Sequence, residues 1–181
     1  MAITAQHIRD TLSCYLDRYP EDGDGLGALA DSLADTPGTI TSRKEFRGHV
    51  TAGALLLRPD ERVLLIRHKA LRTWLFPGGH LEDGDDTLLG AALRELSEET
   101  GIPAERVTPV SPIPLHIDVH PIPANPAKGE PAHQHYDVRY LFRTEAADVA
   151  DVTALQAEEV TGFAWQPART LSGEALRGRL G

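Results

Sequence analysis

The chain is 181 residues long and 41% hydrophobic, enough to bury one good core, and is expected to form one domain with an extension. Its formal charge of −9 argues against sequence-independent nucleic-acid binding, which needs a basic footprint, and would repel free anionic substrates unless a metal supplied local positive charge. No apolar run reaches the ~18 residues of a membrane span, the first residues lack the pattern of a secretion signal, and the single cysteine, Cys14, cannot pair within the chain, so a reducing cytoplasm is expected.

Residues 4–19 read as a helix, with Thr4 as N-cap and Ile8, Leu12, Tyr15, Leu16 and Tyr19 in one stripe. Cys14 falls beside that stripe, where it serves packing rather than chemistry. Pro20 and the EDGDG run stop the helix, and residues 25–34 suggest a shorter one with Leu26, Leu29 and Leu33 inside. Residues 1–44 therefore form an N-terminal helical extension and residues 45–181 the main domain. The extension could cap that domain or make a homodimer contact; the sequence leaves both open.

From Phe46 the character changes. Residues 50–57 and 63–66 are apolar runs joined by RPDE, a hairpin signal without a tight turn. Trp74, Leu75 and Phe76 then lead into Pro77-Gly78-Gly79. Residues 87–100 read as an amphipathic helix with Leu89, Ala92, Leu93 and Leu96 toward the core. Glu95, Glu98 and Glu99, at i, i+3 and i+4, share another face with Ala91 one turn back. Three crowded carboxylates repel one another, and a hard divalent cation such as Mg²⁺ turns that cost into a binding site. Arg94 flanks them and could orient one carboxylate, while Gly78 and Gly79 permit an approach that a Cβ would block. A solvated acidic face is the plain alternative, but glycine pair, acidic loop and Arg-Glu-x-x-Glu-Glu-x-Gly together are more specific than any one part.

Further on, residues 115–120 and 135–142 alternate like half-buried strands. Between them PIPANPAKGEPA is too rich in Pro and Gly for regular structure and long enough to be a functional loop. His133, His135, Asp137 and Arg139 share one strand face, as do His116, Asp118 and His120. Symmetric pairing about the loop would set His120 opposite His133 and Asp118 opposite His135, a patch able to hold phosphate or a second metal, or else a water-facing strand side. On the first of these readings His133, His135 and Arg139 contact substrate. Residues 160–165 read as a last strand and residues 171–176 as a short helix.

The stretch 78–102 resembles the Nudix box, G-x5-E-x7-R-E-U-x-E-E-x-G-U with U aliphatic. Arg94, Glu95, Leu96, Glu98, Glu99, Gly101 and Ile102 match its second half. In the first half, counting back from Arg94 puts the loop carboxylate on Asp86, in place of Glu, and leaves six residues rather than five after Gly79. The resemblance implies an α/β/α sandwich with a mixed sheet and hydrolysis of a phosphoanhydride in a nucleoside diphosphate linked to another group. Carried over, Glu95, Glu98 and Glu99 are ligands of Mg²⁺ (Mn²⁺ as the alternative), Gly79 adds a backbone carbonyl, and Arg94 orients the cluster. In such enzymes the general base is often a Glu outside the box; Glu159 is the first choice here, before Glu130 and Glu158.

The competing readings are weaker. An isomerase on the same fold would need a reactive cysteine at its centre, and Cys14 is far from the box. A non-catalytic nucleotide-binding regulator would usually lose box carboxylates or carry a DNA-binding domain. Substrate stays open: Asp118 stands where many relatives that cleave ADP-ribose have proline, and Val119 where those that cleave dinucleoside polyphosphates have tyrosine.

Overall fold

Ten consecutive buried residues, Gly48–Leu57 (β1), form the strand on which the rest is laid. The structure, a computed structural model, describes residues 2–69, 71–144 and 160–180. Before β1 come α1 (Ala5–Arg18) and α2 (Gly27–Asp35). After it come β2 (Arg62–His68), β3 (Trp74–Leu75), β4 (Gly78–His80), α3 (Leu88–Thr100), β5 (Thr108–Pro109), β6 (His116–Ile122), β7 (His133–Arg143), β8 (Val160–Pro167) and α4 (Glu174–Leu180). The strands make one mixed sheet in the order β3-β2-β1-β7-β5, with β4 also on β1, β6 on β7 and β8 on β2. β1 and β7 run parallel along their whole length, from Gly48 opposite Gln134 to Leu57 opposite Arg143. A strand buried on both faces reads as a continuous apolar run, which is why β1 shows no alternation.

Its two faces nevertheless do different work, because successive side chains point to opposite sides. Val50, Ala52, Ala54 and Leu56 face a core shared with Ile8 and Tyr15 of α1, Leu29 and Leu33 of α2, and Leu88, Ala92 and Leu96 of α3. Leu55 and Leu57 face a smaller core closed by Leu171 and by Leu176 and Leu180 of α4. The sheet thus lies between helical layers, as expected. Toward the start of β1 that second face turns polar, at His49 and Thr51.

Four sequence expectations need correction. Cys14 is exposed, so it does not serve the packing expected of it beside the α1 stripe. The β6–β7 hairpin pairs His120 with His135 and Asp118 with Asp137, two residues off the symmetric register. Its loop sets the offset, because Asn125 bridges Glu130 around a turn over Pro126–Lys128 that ends on left-handed Gly129. A shift of two keeps every side chain on its expected face. α4 starts at Glu174, later than expected, since Gly173 adopts φ 90 and leaves Leu171 to pack ahead of the helix. In α3 the buried stripe includes Leu88 and Ala91, so Ala91 fills core rather than leaving room beside the carboxylates.

Candidate functional site

Thr87 caps α3 by accepting a hydrogen bond from the Gly90 amide, and Gly101, at φ 69, ends the helix. Between these caps the carboxylate face is pressed against β4. The Glu99 side chain is buried, and its Oε2 accepts a 2.8 Å hydrogen bond from the Gly78 amide. A Cβ on Gly79 would stand 2.7 Å from Glu95 Oε1, so glycine alone lets strand and carboxylate meet. Glu98 is half exposed. Of the three carboxylates, Glu98 alone is exposed.

Arg94 binds this corner together. Its Nε and Nη2 grip Asp85 at 3.0 and 2.9 Å, and Nη2 also donates to the His80 carbonyl at 3.0 Å. Its Nη1 donates to Glu95 at 3.0 Å and to Glu98 at 2.9 Å, drawing those two carboxylates toward one point. Burial works to raise the Asp85 carboxyl, but Arg94 and the Glu82 amide outweigh it and hold it below the usual range. The loop partner of Arg94 is therefore Asp85, not the Asp86 reached by counting back. Counting forward from Gly79 through five residues lands on Asp85, so the extra residue lies between Asp85 and Arg94.

Burial pushes the Glu95 carboxyl up to about 7; Arg94 pulls against it, and Glu98 and Glu82 add repulsion. One guanidinium is too little positive charge for this corner. A divalent cation fits what is missing: the donors are all oxygens, two of them already converge, and hard ions take that set.

A second cluster lies one step along β4. Gly79 faces Glu95, so His80, the next residue, points to the opposite side of the sheet. There its ring stands 5.1 Å from His49 and 5.4 Å from His135 between centroids. His49 of β1 and His135 of β7 are register partners 4.6 Å apart, and His133 stacks on His49 at 5.0 Å. Burial, with the neighbouring rings and cations, lowers His80 to about 4 and His135 to about 3, and lowers His49 also, so these rings are neutral at pH 7.

The expected substrate residues thus divide. His133 and His135 come together, but with His49 and His80 rather than with Glu98. Arg139 donates to Asp137 at 2.8 Å and to Asp118 at 3.0 Å and lies over the Phe76 ring, so two carboxylates hold its guanidinium. Glu130 stands 3.7 Å from Arg43. Glu158 and Glu159 lie outside the described residues. Sequence reading missed His49 and His80 because each adjoins a stronger signal, an apolar strand in one case and the glycine pair in the other. Asp85 was hidden by the direction of counting.

Comparison with known proteins adds the following. The family model described as NUDIX domain matches residues 47–180. A protein named "Probable DHNTP pyrophosphohydrolase" from Lactococcus lactis subsp. cremoris (strain MG1363) is 36% identical over 111 residues, 58% of this chain and 63% of that one. "Nucleoside diphosphate-linked moiety X motif 6" from Xenopus laevis is 46% identical over 80 residues, covering 42% of this chain and 34% of its own length. The chain thus spans less than two thirds of these relatives. Among solved structures, the E. coli dihydroneopterin triphosphate pyrophosphohydrolase superposes with a TM-score of 0.50 at 20% identity, over 72% of this chain and 91% of that one, which is a likeness of fold.

Proposed function

The chain belongs to the Nudix family, and from that premise we propose that it hydrolyses a phosphoanhydride bond in a nucleoside diphosphate linked to another group. One observation carries the reading: Glu95 and Glu98 converge on a single Arg94 nitrogen while the Glu99 carboxylate is anchored to the Gly78 amide beside them. Glu95, Glu98 and Glu99 would hold Mg²⁺ or Mn²⁺, with the Gly79 carbonyl as a further oxygen. Such a cation, when bound, neutralises charge on the phosphate oxygens and the leaving group.

The chain's own residues do the rest. Asp85 and the His80 carbonyl fix the Arg94 guanidinium, and Arg94 in turn fixes two carboxylates in place before substrate arrives. Glu98, the most exposed of the three, is the one best placed to meet substrate. A carboxylate outside the box takes a proton from the attacking water; Glu159 is our assignment, with Glu158 and Glu130 behind it. We take the substrate to be a small molecule rather than a nucleic acid, in keeping with the chain's negative charge, and its setting to be the cytoplasm, in keeping with the single cysteine. Among the described residues no helix is long and apolar enough to cross a membrane.

A non-catalytic regulatory role is the second reading, and the complete carboxylate set speaks against it. The test is a panel of nucleotide sugars, ADP-ribose, dinucleoside polyphosphates, NADH, nucleoside triphosphates and dihydroneopterin triphosphate, the last suggested by a relative's name, each assayed with Mg²⁺ and Mn²⁺. Metal-dependent cleavage of at least one compound at a phosphoanhydride is expected. Tight binding of a panel member without cleavage of any would favour the regulator.

A further inference from the structure

We propose that His49, His133 and His135 form a second metal site, separate from the carboxylates of α3, that takes one borderline transition-metal ion of the zinc class. One ligand atom from each of the three rings lies within 4.8 Å of the others. Two neighbouring parallel strands hold them: His49 and His135 are register partners, and His133 lies two residues before His135 on the same face.

The hydrogen bonds around the rings decide which nitrogens are free. His49 Nδ1 lies 3.1 Å from the Glu45 carbonyl and His133 Nδ1 lies 2.8 Å from the Pro131 carbonyl. A carbonyl oxygen only accepts, so each Nδ1 carries a proton, and in the neutral form of such a ring Nε2 is the atom with the lone pair. Metal-bound histidines are held in this way, the outer nitrogen donating to a carbonyl and the inner one turned to the ion. His49 Nε2 is buried and has no hydrogen-bond partner among the described residues, in a residue only 1% exposed. An unpartnered buried acceptor is costly, and a cation removes the cost.

One separation already matches. His133 Nε2 and His135 Nε2, hydrogen-bond partners of each other, are 3.2 Å apart. Two nitrogens on a tetrahedral zinc ion, each ~2.0–2.1 Å from it, are separated by about 3.3 Å. Imidazole nitrogen suits Zn²⁺, Co²⁺, Ni²⁺ or Cu²⁺ and is a poor partner for Mg²⁺, so donor chemistry keeps this site distinct from the oxygen cluster on α3. Three protein ligands leave a fourth position for water or another oxygen donor; the His80 ring lies 5.1 Å from His49 and 5.4 Å from His135 between centroids. This is the patch that the sequence marked as able to hold phosphate or a second metal, and its donors favour the metal.

The full chain, stripped of metal with a chelator and dialysed, would be titrated with Zn²⁺ by calorimetry and with Co²⁺ by visible absorption. With excess Mg²⁺ present to occupy the α3 carboxylates, one ion per chain should bind with the intense visible bands of four-coordinate Co²⁺. Affinity should fall at least about a hundredfold in both His133→Ala and His135→Ala and be unchanged in Glu98→Gln. X-ray absorption of the zinc-loaded wild-type chain should show about three imidazoles at ~2.0–2.1 Å, a result that needs no variant to fold. Wild-type affinity in both histidine variants, an oxygen-only shell, or zinc binding lost in Glu98→Gln would overturn the site.

Discussion

Gly79 shows how little slack the carboxylate site contains. A methyl there would lie 2.7 Å from Glu95 Oε1 and 2.8 Å from its Cδ, a contact that forces one of the two to move. Glu95 can yield only by leaving Arg94. A hydrogen bond to a charged group contributes about 1.5–3 kcal/mol, so Gly79→Ala should lower kcat/KM by roughly ten- to a hundredfold at little cost in melting temperature. Unchanged turnover in that variant would mean that Glu95 is not held where the site needs it. At this scale the sequence was partly legible. The carboxylate triad and Arg94 could be read from residue types and spacing, because helical periodicity fixes their relative positions in advance. The partner of Arg94 could not, since it lies across a loop whose length differs from the pattern, and a loop carries no periodicity. His49 and His80 escaped for a related reason: the chain brings them together by strand pairing across 31 residues, and nothing local announces it.

Elements far apart in the chain are clasped by one arginine. Arg179 of α4 donates to Asp22 through both of its terminal nitrogens, at 2.9 and 3.0 Å, to the Tyr15 hydroxyl of α1 at 2.8 Å, and to Glu21 at 2.8 Å. Burial works to raise the Asp22 carboxyl, but Arg179 and Tyr15 outweigh it and hold it below its usual value. Burial, aided by the hydrogen bond to Asp22, pushes the Tyr15 hydroxyl up to about 12. A depressed carboxyl contributes stability that is present above its unfolded pKa and is lost as pH falls through its folded one. Asp22→Asn should therefore destabilise by about 1.5–3 kcal/mol at pH 7, and the difference from wild type should shrink once the pH drops below about 4. Urea unfolding across that range checks this, and a difference that stays constant with pH would contradict it. Alternation made β6 and β7 visible in the sequence. Their register was not, because Asn125, Glu130 and left-handed Gly129 set the turn by backbone geometry that composition does not encode.

On the scale of the whole molecule, the chain behaves as a sheet with helices on both sides and two polar centres that meet at β4. Residues 1–44 were read as an extension, and we assign them as a cap on the domain, because Ile8, Tyr15, Leu29 and Leu33 share one core with β1, β7 and α3. Tyr136 of β7 adds a 2.6 Å hydrogen bond to Ser32 of α2. The family match starts at residue 47, so this cap lies outside it. The sandwich could be read from the order of apolar runs, whereas the docking of the first two helices depends on contacts more than a hundred residues apart, such as that between Ser32 and Tyr136. The central claim is that the α3 carboxylates form a metal-dependent hydrolytic centre, and Glu98 tests it most directly, being half exposed and hydrogen-bonded, among the described residues, to Arg94. Phosphoanhydride cleavage by the wild-type chain and by Glu98→Gln should be compared in Mg²⁺ and after chelation. The account predicts that the exchange, which keeps size and removes charge, slows turnover about a thousandfold, some 4 kcal/mol, with the fold intact, and that chelation abolishes wild-type turnover. Full turnover in chelated protein, or a wild-type rate in Glu98→Gln, would contradict it.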